Sequence, residues 1–162
     1  MKINIRKEIA KLSDKIYNYR RHFHKYPELS FKEFKTSETI SKYLKEFGIK
    51  HKKNVGKTGV VGEIYFGPGP TIALRADMDA LPMQEKGNLE YKSRNDGVMH
   101  ACGHDGHMAI LLGAAKALSE NSTIKKGTVK FIFQPAEEGG GGARYMIKDG
   151  CLNGVDEIYG LH

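Results

Sequence analysis

The sequence contains little of what marks secreted, membrane-bound or fibrous proteins. It has no tryptophan and only two cysteines, Cys102 and Cys151, which are too few for a disulfide scaffold and do not form a Cys-x-x-Cys pair. Its most extended apolar stretch, residues 109–115, is far shorter than the roughly 20 residues that span a bilayer. The N-terminal residues mix charged and apolar side chains and lack the apolar core of a signal peptide. We therefore expect a cytoplasmic protein with no membrane partner.

The net charge is positive but evenly spread. Lysine and arginine number 26 and aspartate and glutamate 19, which gives a formal net charge of +7. Acidic residues interrupt the basic ones, as in residues 7–15 (KEIAKLSDK) and 42–47 (KYLKEF). This mixing is typical of a solvated surface, whereas a nucleic-acid-binding face gathers its basic residues together. We expect no nucleic-acid partner.

The first third of the chain has the pattern of two amphipathic helices. Apolar residues recur at helical spacing up to Phe23, and Pro27 cannot continue that helix. Ser30 and Glu33 have the spacing of a capping box, which predicts the start of a second helix. Gly48 is the natural end of this second helix.

The remaining residues alternate between strand and helix patterns. Helical patterns cover residues 107–119 and 143–148, and a strand starts at residue 71 and runs into Asp77 and Asp79. Further strand patterns cover residues 60–66, 128–133 and 156–162. This alternation predicts an α/β fold, with a mostly parallel sheet flanked by helices in one domain.

Chemically reactive side chains follow the predicted strands. Asp77 and Asp79 follow the first parallel strand, Glu137 and Glu138 follow the next, and His162 ends the last. A cluster with the sequence HACGHDGH, residues 100–107, is expected in a loop just before a helix. Ligands of open α/β sheets bind outside the carboxyl ends of the strands, so we expect these groups to share one site.

Imidazole, thiol and carboxylate groups together form a ligand set for divalent zinc, manganese, cobalt or nickel. Such a metal acidifies a bound water, and a carboxylate that is not a ligand must then accept the proton. Glu137 and Glu138 are suited to divide the roles of base and ligand. Since neighbouring strand residues point to opposite faces, both reach one site only from a turn, which Pro135 and the glycines at 139–142 allow.

Several simpler interpretations compete with a metal site. Cys102 and His104 suggest a cysteine nucleophile and its base, but residues two apart rarely form a usable pair. Asp77 and Asp79 are also residues that cap turns. The basic segment at 20–24 is expected to be a solvated helix end, and Cys151 a core residue.

Five segments together resemble the M20 metallopeptidase family, and in particular its amidohydrolase branch, which includes hippurate hydrolase and N-acyl-L-amino acid amidohydrolases. In chain order they are RRHFHKYPELSF (20–31), LRADMDALPM (74–83), MHACGHDGHMAILLGAA (99–115), FQPAEEGGGGA (133–143) and GLH (160–162).

The resemblance implies the phosphorylase/hydrolase-like catalytic domain of zinc exopeptidases and metal-dependent hydrolysis of the amide bond of small N-acyl amino acids. A metal-bound water would be the nucleophile, Glu137 the general base, and Asp79 the carboxylate that orients a ligand. Which of Asp77 and Asp79 has that last role stays open. One or two divalent ions would be held by Cys102, His104, Glu138 and His162.

The chain departs from the family in length. Members are about twice as long or more, because a dimerisation (lid) domain and a C-terminal return segment follow the part that is matched here. We therefore expect residues 1–162 to be the N-terminal part of the catalytic domain, and the full-length form to be a homodimer. The alternative is a truncated, inactive remnant that folds and binds metal or a partner chain.

Overall fold

The computed structural model describes residues 5–120 and 123–162, apart from the side chains of residues 5, 6 and 8. Within this part, no helix is both long and apolar enough to cross a membrane. The helices are α1 (Ile5–Lys25), α2 (Phe34–Glu46), α3 (His104–Ser119) and α4 (Gly142–Lys148). The strands are β1 (Lys50–Val55), β2 (Gly59–Gly67), β3 (Thr71–Asp77), β4 (Gly127–Gln134) and β5 (Glu157–Gly160).

The strands form one mixed sheet in the order β1-β2-β4-β3-β5. Strands β4, β3 and β5 are parallel to one another, whereas β1 and β2 pair antiparallel, and β2 also pairs antiparallel with β4. The predicted α/β sheet flanked by helices is confirmed, with parallel pairing on the β4-β3-β5 side. Strand β1 was not predicted, because its sequence KHKKNV is polar and mostly exposed.

Helices α2 and α3 pack on one face of the sheet, α1 packs against α3, and all three contribute to the larger core. A Cβ atom on Gly113 of α3 would lie 2.6 Å from Ile16 Cδ1, so glycine lets α1 and α3 approach closely. A smaller core on the other face contains Met146 of α4 and Cys151, which is 7% exposed. The prediction that Cys151 is a core residue is confirmed.

The predicted capping box at the start of α2 is wrong. Glu33 occupies the N-cap position without a capping hydrogen bond from its side chain. The carboxylate of Glu28 instead accepts hydrogen bonds from the backbone N–H groups of Lys35 (3.2 Å) and Thr36 (2.8 Å). The side chains of Ser30 and Glu33 are engaged with residues far away in the sequence.

Helix α3 begins three residues earlier than its apolar pattern predicts. Gly103 has φ +84°, a left-handed conformation that suits glycine, and His104 is the first helical residue. The expectation that residues 100–107 lie in a loop is therefore wrong from His104 onward. His104 and His107 lie one turn apart on α3, so the helix fixes the spacing of their side chains.

The parallel strands end at one edge of the sheet. Asp77, the last residue of β3, pairs with Gln134, the last residue of β4. Arg75 pairs with Gly160, so His162 follows β5 at the same level. This register brings the residues that follow β3, β4 and β5 to the N-terminus of α3.

Candidate metal centre

Four side chains from four segments converge at this edge and are called the ligand cluster below. Each offers one nitrogen or oxygen atom, and these atoms lie within 4.8 Å of one another. His162 Nε2 is 3.6 Å from both Asp77 Oδ2 and Glu137 Oε2. The cluster consists of Asp77, His104, Glu137 and His162.

The orientation of His104 leaves one ring nitrogen facing the cluster. His104 Nδ1 lies 2.8 Å from the backbone oxygen of Asp79, and since a carbonyl only accepts, Nδ1 carries the proton. His104 Nε2 then points to Asp77 Oδ2 at 3.5 Å and to Glu138 Oε1 at 3.7 Å. It is buried and has no hydrogen-bond partner. A histidine held through one nitrogen with the other free is the usual arrangement of a metal ligand.

Asp79 is saturated with hydrogen bonds from protein groups. It accepts the backbone N–H groups of Glu137 and Glu138, both at 3.0 Å, and the hydroxyl of Ser30 at 2.6 Å. Burial by itself would raise the pKa of Asp79, but these bonds and the interaction with His104 lower it to about 2. Asp79 is therefore a stable anion that fixes the turn carrying the two glutamates.

Asp77 belongs to the ligand cluster, whereas the sequence predicted no ligand role for it and left it open as the carboxylate that orients a ligand. Its Oδ1 lies 2.7 Å from His107 Nδ1, and its Oδ2 accepts a hydrogen bond from Arg75 Nη1 at 2.9 Å. Arg75 Nε in turn donates to Gln134 at the end of β4. Two spacings in the sequence could have indicated these contacts. Asp77 and Asp79 are two residues apart, the spacing of residues on the same face of a strand, and His104 and His107 are three apart, the spacing of residues on the same face of a helix.

Glu138 and Cys102 lie beside the ligand cluster rather than within it. Glu138 Oε1 is buried and has no hydrogen-bond partner. The Cys102 thiol is exposed, and its interaction with the Glu138 carboxylate, then burial and the charges of Glu137 and Asp77, raise its pKa to about 11. Only the thiolate binds metal, and a nearby cation reverses such a shift.

The residues present fit a divalent transition metal. Two buried polar atoms, His104 Nε2 and Glu138 Oε1, face each other at 3.7 Å without hydrogen-bond partners. The carboxylates around them repel one another unless a cation lies between them. Both glutamates lie in a turn after β4, as the sequence predicts, and not within the strand.

A second polar cluster corrects the expectation for residues 20–24. His24 is 5% exposed, with Nδ1 at 2.8 Å from Asp105 Oδ2 and Nε2 at 3.2 Å from Glu85 Oε1. Arg20 Nε also donates to Asp105 at 3.3 Å. The expectation of a solvated helix end is thus wrong for His24, because its partners lie more than 60 residues away in the sequence.

This fold and this site define the class: an α/β protein with a candidate metal centre at the carboxyl ends of its parallel strands. The model of peptidase family M20/M25/M40 matches residues 73–162, and the chain belongs to this family. The family resemblance drawn from the sequence motifs is confirmed.

Two curated relatives of this chain are longer than it. The chain is 49% identical to thermostable carboxypeptidase 1 of Saccharolobus solfataricus, with 98% of this chain and 41% of that protein covered. It is 52% identical to N-acetyl-L-cysteine deacetylase of Bacillus subtilis, with 95% and 37% covered. It therefore spans about two fifths of the length of these relatives.

A solved structure shares the fold. The crystal structure of the Bacillus subtilis YXEP protein, described as a dinuclear metal-binding peptidase of the M20 family, superposes with a TM-score of 0.90 at 48% identity. The superposition covers 94% of this chain and 43% of that one.

Proposed function

We propose that this chain carries the metal-binding half of a hydrolase that cleaves the amide bond of small N-acyl amino acids. The single observation behind the proposal is the unpaired, buried Nε2 of His104 among carboxylates at the sheet edge. Two relatives are named as a carboxypeptidase and as a deacetylase of N-acetyl-L-cysteine. Both names describe the cleavage of an amide bond next to an amino acid.

One or two divalent ions would be held by nitrogen, oxygen and sulfur ligands. When bound, such an ion (zinc, manganese, cobalt or nickel) would supply an acidified water and polarise the amide carbonyl. Asp77 Oδ2 lies 3.5 Å from Nε2 of the proposed ligand His104. Asp77 is therefore the neighbouring carboxylate best placed to stabilise a cation bound there. The proposed ligands are Cys102, His104, Glu138 and His162.

Glu137 has the position required of the general base. Its backbone N–H is held by Asp79, while its carboxylate is 29% exposed and so is open to substrate. It would accept a proton as water oxygen attacks the carbonyl carbon, and pass it to the amine nitrogen as the carbon–nitrogen bond breaks. Asp79 fixes the backbone so that this carboxylate stays in place.

Matched substitutions at the two glutamates test these roles. Glu137→Gln should lower hydrolysis of N-acetyl amino acids by about 10²- to 10⁴-fold while metal still binds, because the base is lost and the four proposed ligands remain. Glu138→Gln should instead weaken metal binding by about tenfold or more, since a ligand is lost. Turnover assays and metal analysis of each purified variant measure this. Retained activity in Glu137→Gln would refute its role as base.

The alternative is a chain that binds metal or a partner chain without hydrolysis. It is favoured by strand β5 at the edge of the sheet, where Ile158 and Tyr159 are 49% and 56% exposed, and by Leu161 just after this strand, which is 59% exposed. Metal content together with no hydrolysis in the unmodified chain would select this alternative.

The proposal extends to the longer protein of which this chain resembles a part. We propose that residues 1–162 are the N-terminal part of a catalytic domain, and the chain covers 41% and 37% of two longer relatives. The full-length form is proposed to be a cytoplasmic homodimer. Size-exclusion chromatography with light scattering on the longer protein tests the dimer.

A further inference from the structure

Glu33 is a buried carboxylate that the proposed mechanism does not use. It lies in the segment between α1 and α2 and is 0% exposed. Its Oε1 accepts the backbone N–H of Ala136 at 2.9 Å, and its Oε2 accepts the hydroxyl of Thr58 at 2.5 Å. The bond to Ala136 links residues 103 positions apart, immediately before the two glutamates of the site.

Ala136 has a backbone conformation that needs support. Its φ is +49°, in the left-handed region that residues with a Cβ atom adopt at a cost. It is also fully buried, so its N–H group has no access to water. The loop closes back on it: Gly142 N–H donates to Ala136 O at 3.0 Å, and a Cβ on Gly142 would lie 1.8 Å from Pro135 O.

Three consecutive backbone N–H groups are thus held by two buried carboxylates. Glu33 binds that of Ala136, and Asp79 binds those of Glu137 and Glu138. Without the acceptor on Glu33, the Ala136 N–H would be buried and unsatisfied, which favours relaxation of its left-handed conformation. A change of φ at Ala136 redirects both glutamates that follow.

We propose that Glu33 is a positioning residue, which sets the direction of Glu137 and Glu138 through the Ala136 N–H. The inference rests on the proposed function, because it concerns the same metal centre. A purely structural role would make stability, but not metal binding, depend on Glu33. Thr58 offers the matched comparison, since its hydroxyl donates to the other oxygen of the same carboxylate.

The test compares three variants of the full chain for Zn²⁺ affinity, measured against a chromophoric chelator, and for the absorption spectrum with Co²⁺. Glu33→Leu keeps the volume but removes the acceptor, and should weaken Zn²⁺ binding by about tenfold, as loss of groups that orient metal ligands does. Glu33→Gln keeps an acceptor for Ala136, and Thr58→Val keeps the Ala136 bond. Both should stay within about twofold of the unmodified chain. Thermal unfolding of each variant reports folding.

Each outcome decides the matter. Unchanged Zn²⁺ affinity and Co²⁺ spectrum in folded Glu33→Leu would overturn the inference, as would an equal loss in Thr58→Val. If Glu33→Leu does not fold, Glu33→Asp replaces it, because the shorter side chain withdraws the acceptor. Glu33→Asp must then bind Zn²⁺ more weakly than Thr58→Val, and equal binding overturns the inference.

The unmodified chain separates this inference from the proposed function. If the unmodified chain binds no metal, the proposed function fails and this inference with it. If it binds metal and Glu33→Leu binds equally well, only the inference fails.

Discussion

Two buried carboxylates, Asp79 and Glu33, hold the Glu137–Glu138 turn from different parts of the chain, and their pKa values shift in opposite directions. Burial raises the pKa of Glu33 despite hydrogen bonds from Thr58 and the backbone. At Asp79 the same effect of burial is outweighed by the interaction with His104 and by hydrogen bonds from Ser30 and the backbone, and the pKa falls to about 2. Burial alone therefore does not decide the charge. The balance between burial and the surrounding hydrogen-bond donors decides it, and only at Asp79 do the donors outweigh burial.

The largest expected effect is the loss of the Asp79 charge. Asp79→Asn should destabilise the fold by about 3 kcal/mol, because its amide NH₂ group would face backbone N–H donors in a buried place. Urea unfolding at pH 7 measures this. Asp156→Asn is the matched control, since Asp156 also accepts a backbone N–H (Thr71, 2.8 Å) but is exposed. An equal loss in both variants would contradict the comparison.

A smaller effect appears in the acid range. The pKa of Asp79 is lowered from 3.8 to about 2, so its charge contributes about 2 kcal/mol of stability above pH 4. This contribution is lost as the pH falls from about 4 to about 2, because the unfolded state takes up the proton first. Urea unfolding across this range should show the loss in the unmodified chain and less of it in Asp79→Asn. Identical acid profiles would rule out Asp79 as its source.

The smallest expected effect is at Glu33. Because its pKa is raised, its contribution to stability is present at low pH and is lost as the pH rises through the raised value. Glu33→Gln is neutral at every pH and keeps an acceptor for Ala136. Its stability at pH 7 should therefore lie within about 1 kcal/mol of the unmodified chain, or above it. A loss as large as that of Asp79→Asn, measured by the same urea unfolding, would remove the distinction between the two carboxylates.

The elements of the fold were largely predictable because their signals are local. The spacing of apolar residues predicted α1 and α2. The reactive residues that follow the predicted strands β3, β4 and β5 indicated a shared site at one edge of the sheet. Local signals failed where partners are distant. Ser30 and Glu33 have the spacing of a cap, but their side chains bond to Asp79 and Ala136, which no local pattern reveals.

The candidate site was predictable as a meeting of segments, but its internal geometry was not. The convergence of Glu137, His104 and His162 follows from the parallel register of three strands. Asp77 belongs to the ligand cluster because of its distance to His104 Nε2. Asp77 and Asp79 have different roles because the oxygens of Asp79 already accept backbone hydrogen bonds. These are three-dimensional facts that spacing alone does not contain.

The most direct test of the central claim is the position of a bound metal. Crystals of the chain grown with Zn²⁺ and measured at the zinc absorption edge would place the ion in an anomalous difference map. The expected result is a peak about 2.0–2.1 Å from His104 Nε2, with Glu138 or Asp77 oxygens also coordinating it. Zinc bound elsewhere, or a His104 Nε2 that remains without a metal at saturating Zn²⁺, would contradict it.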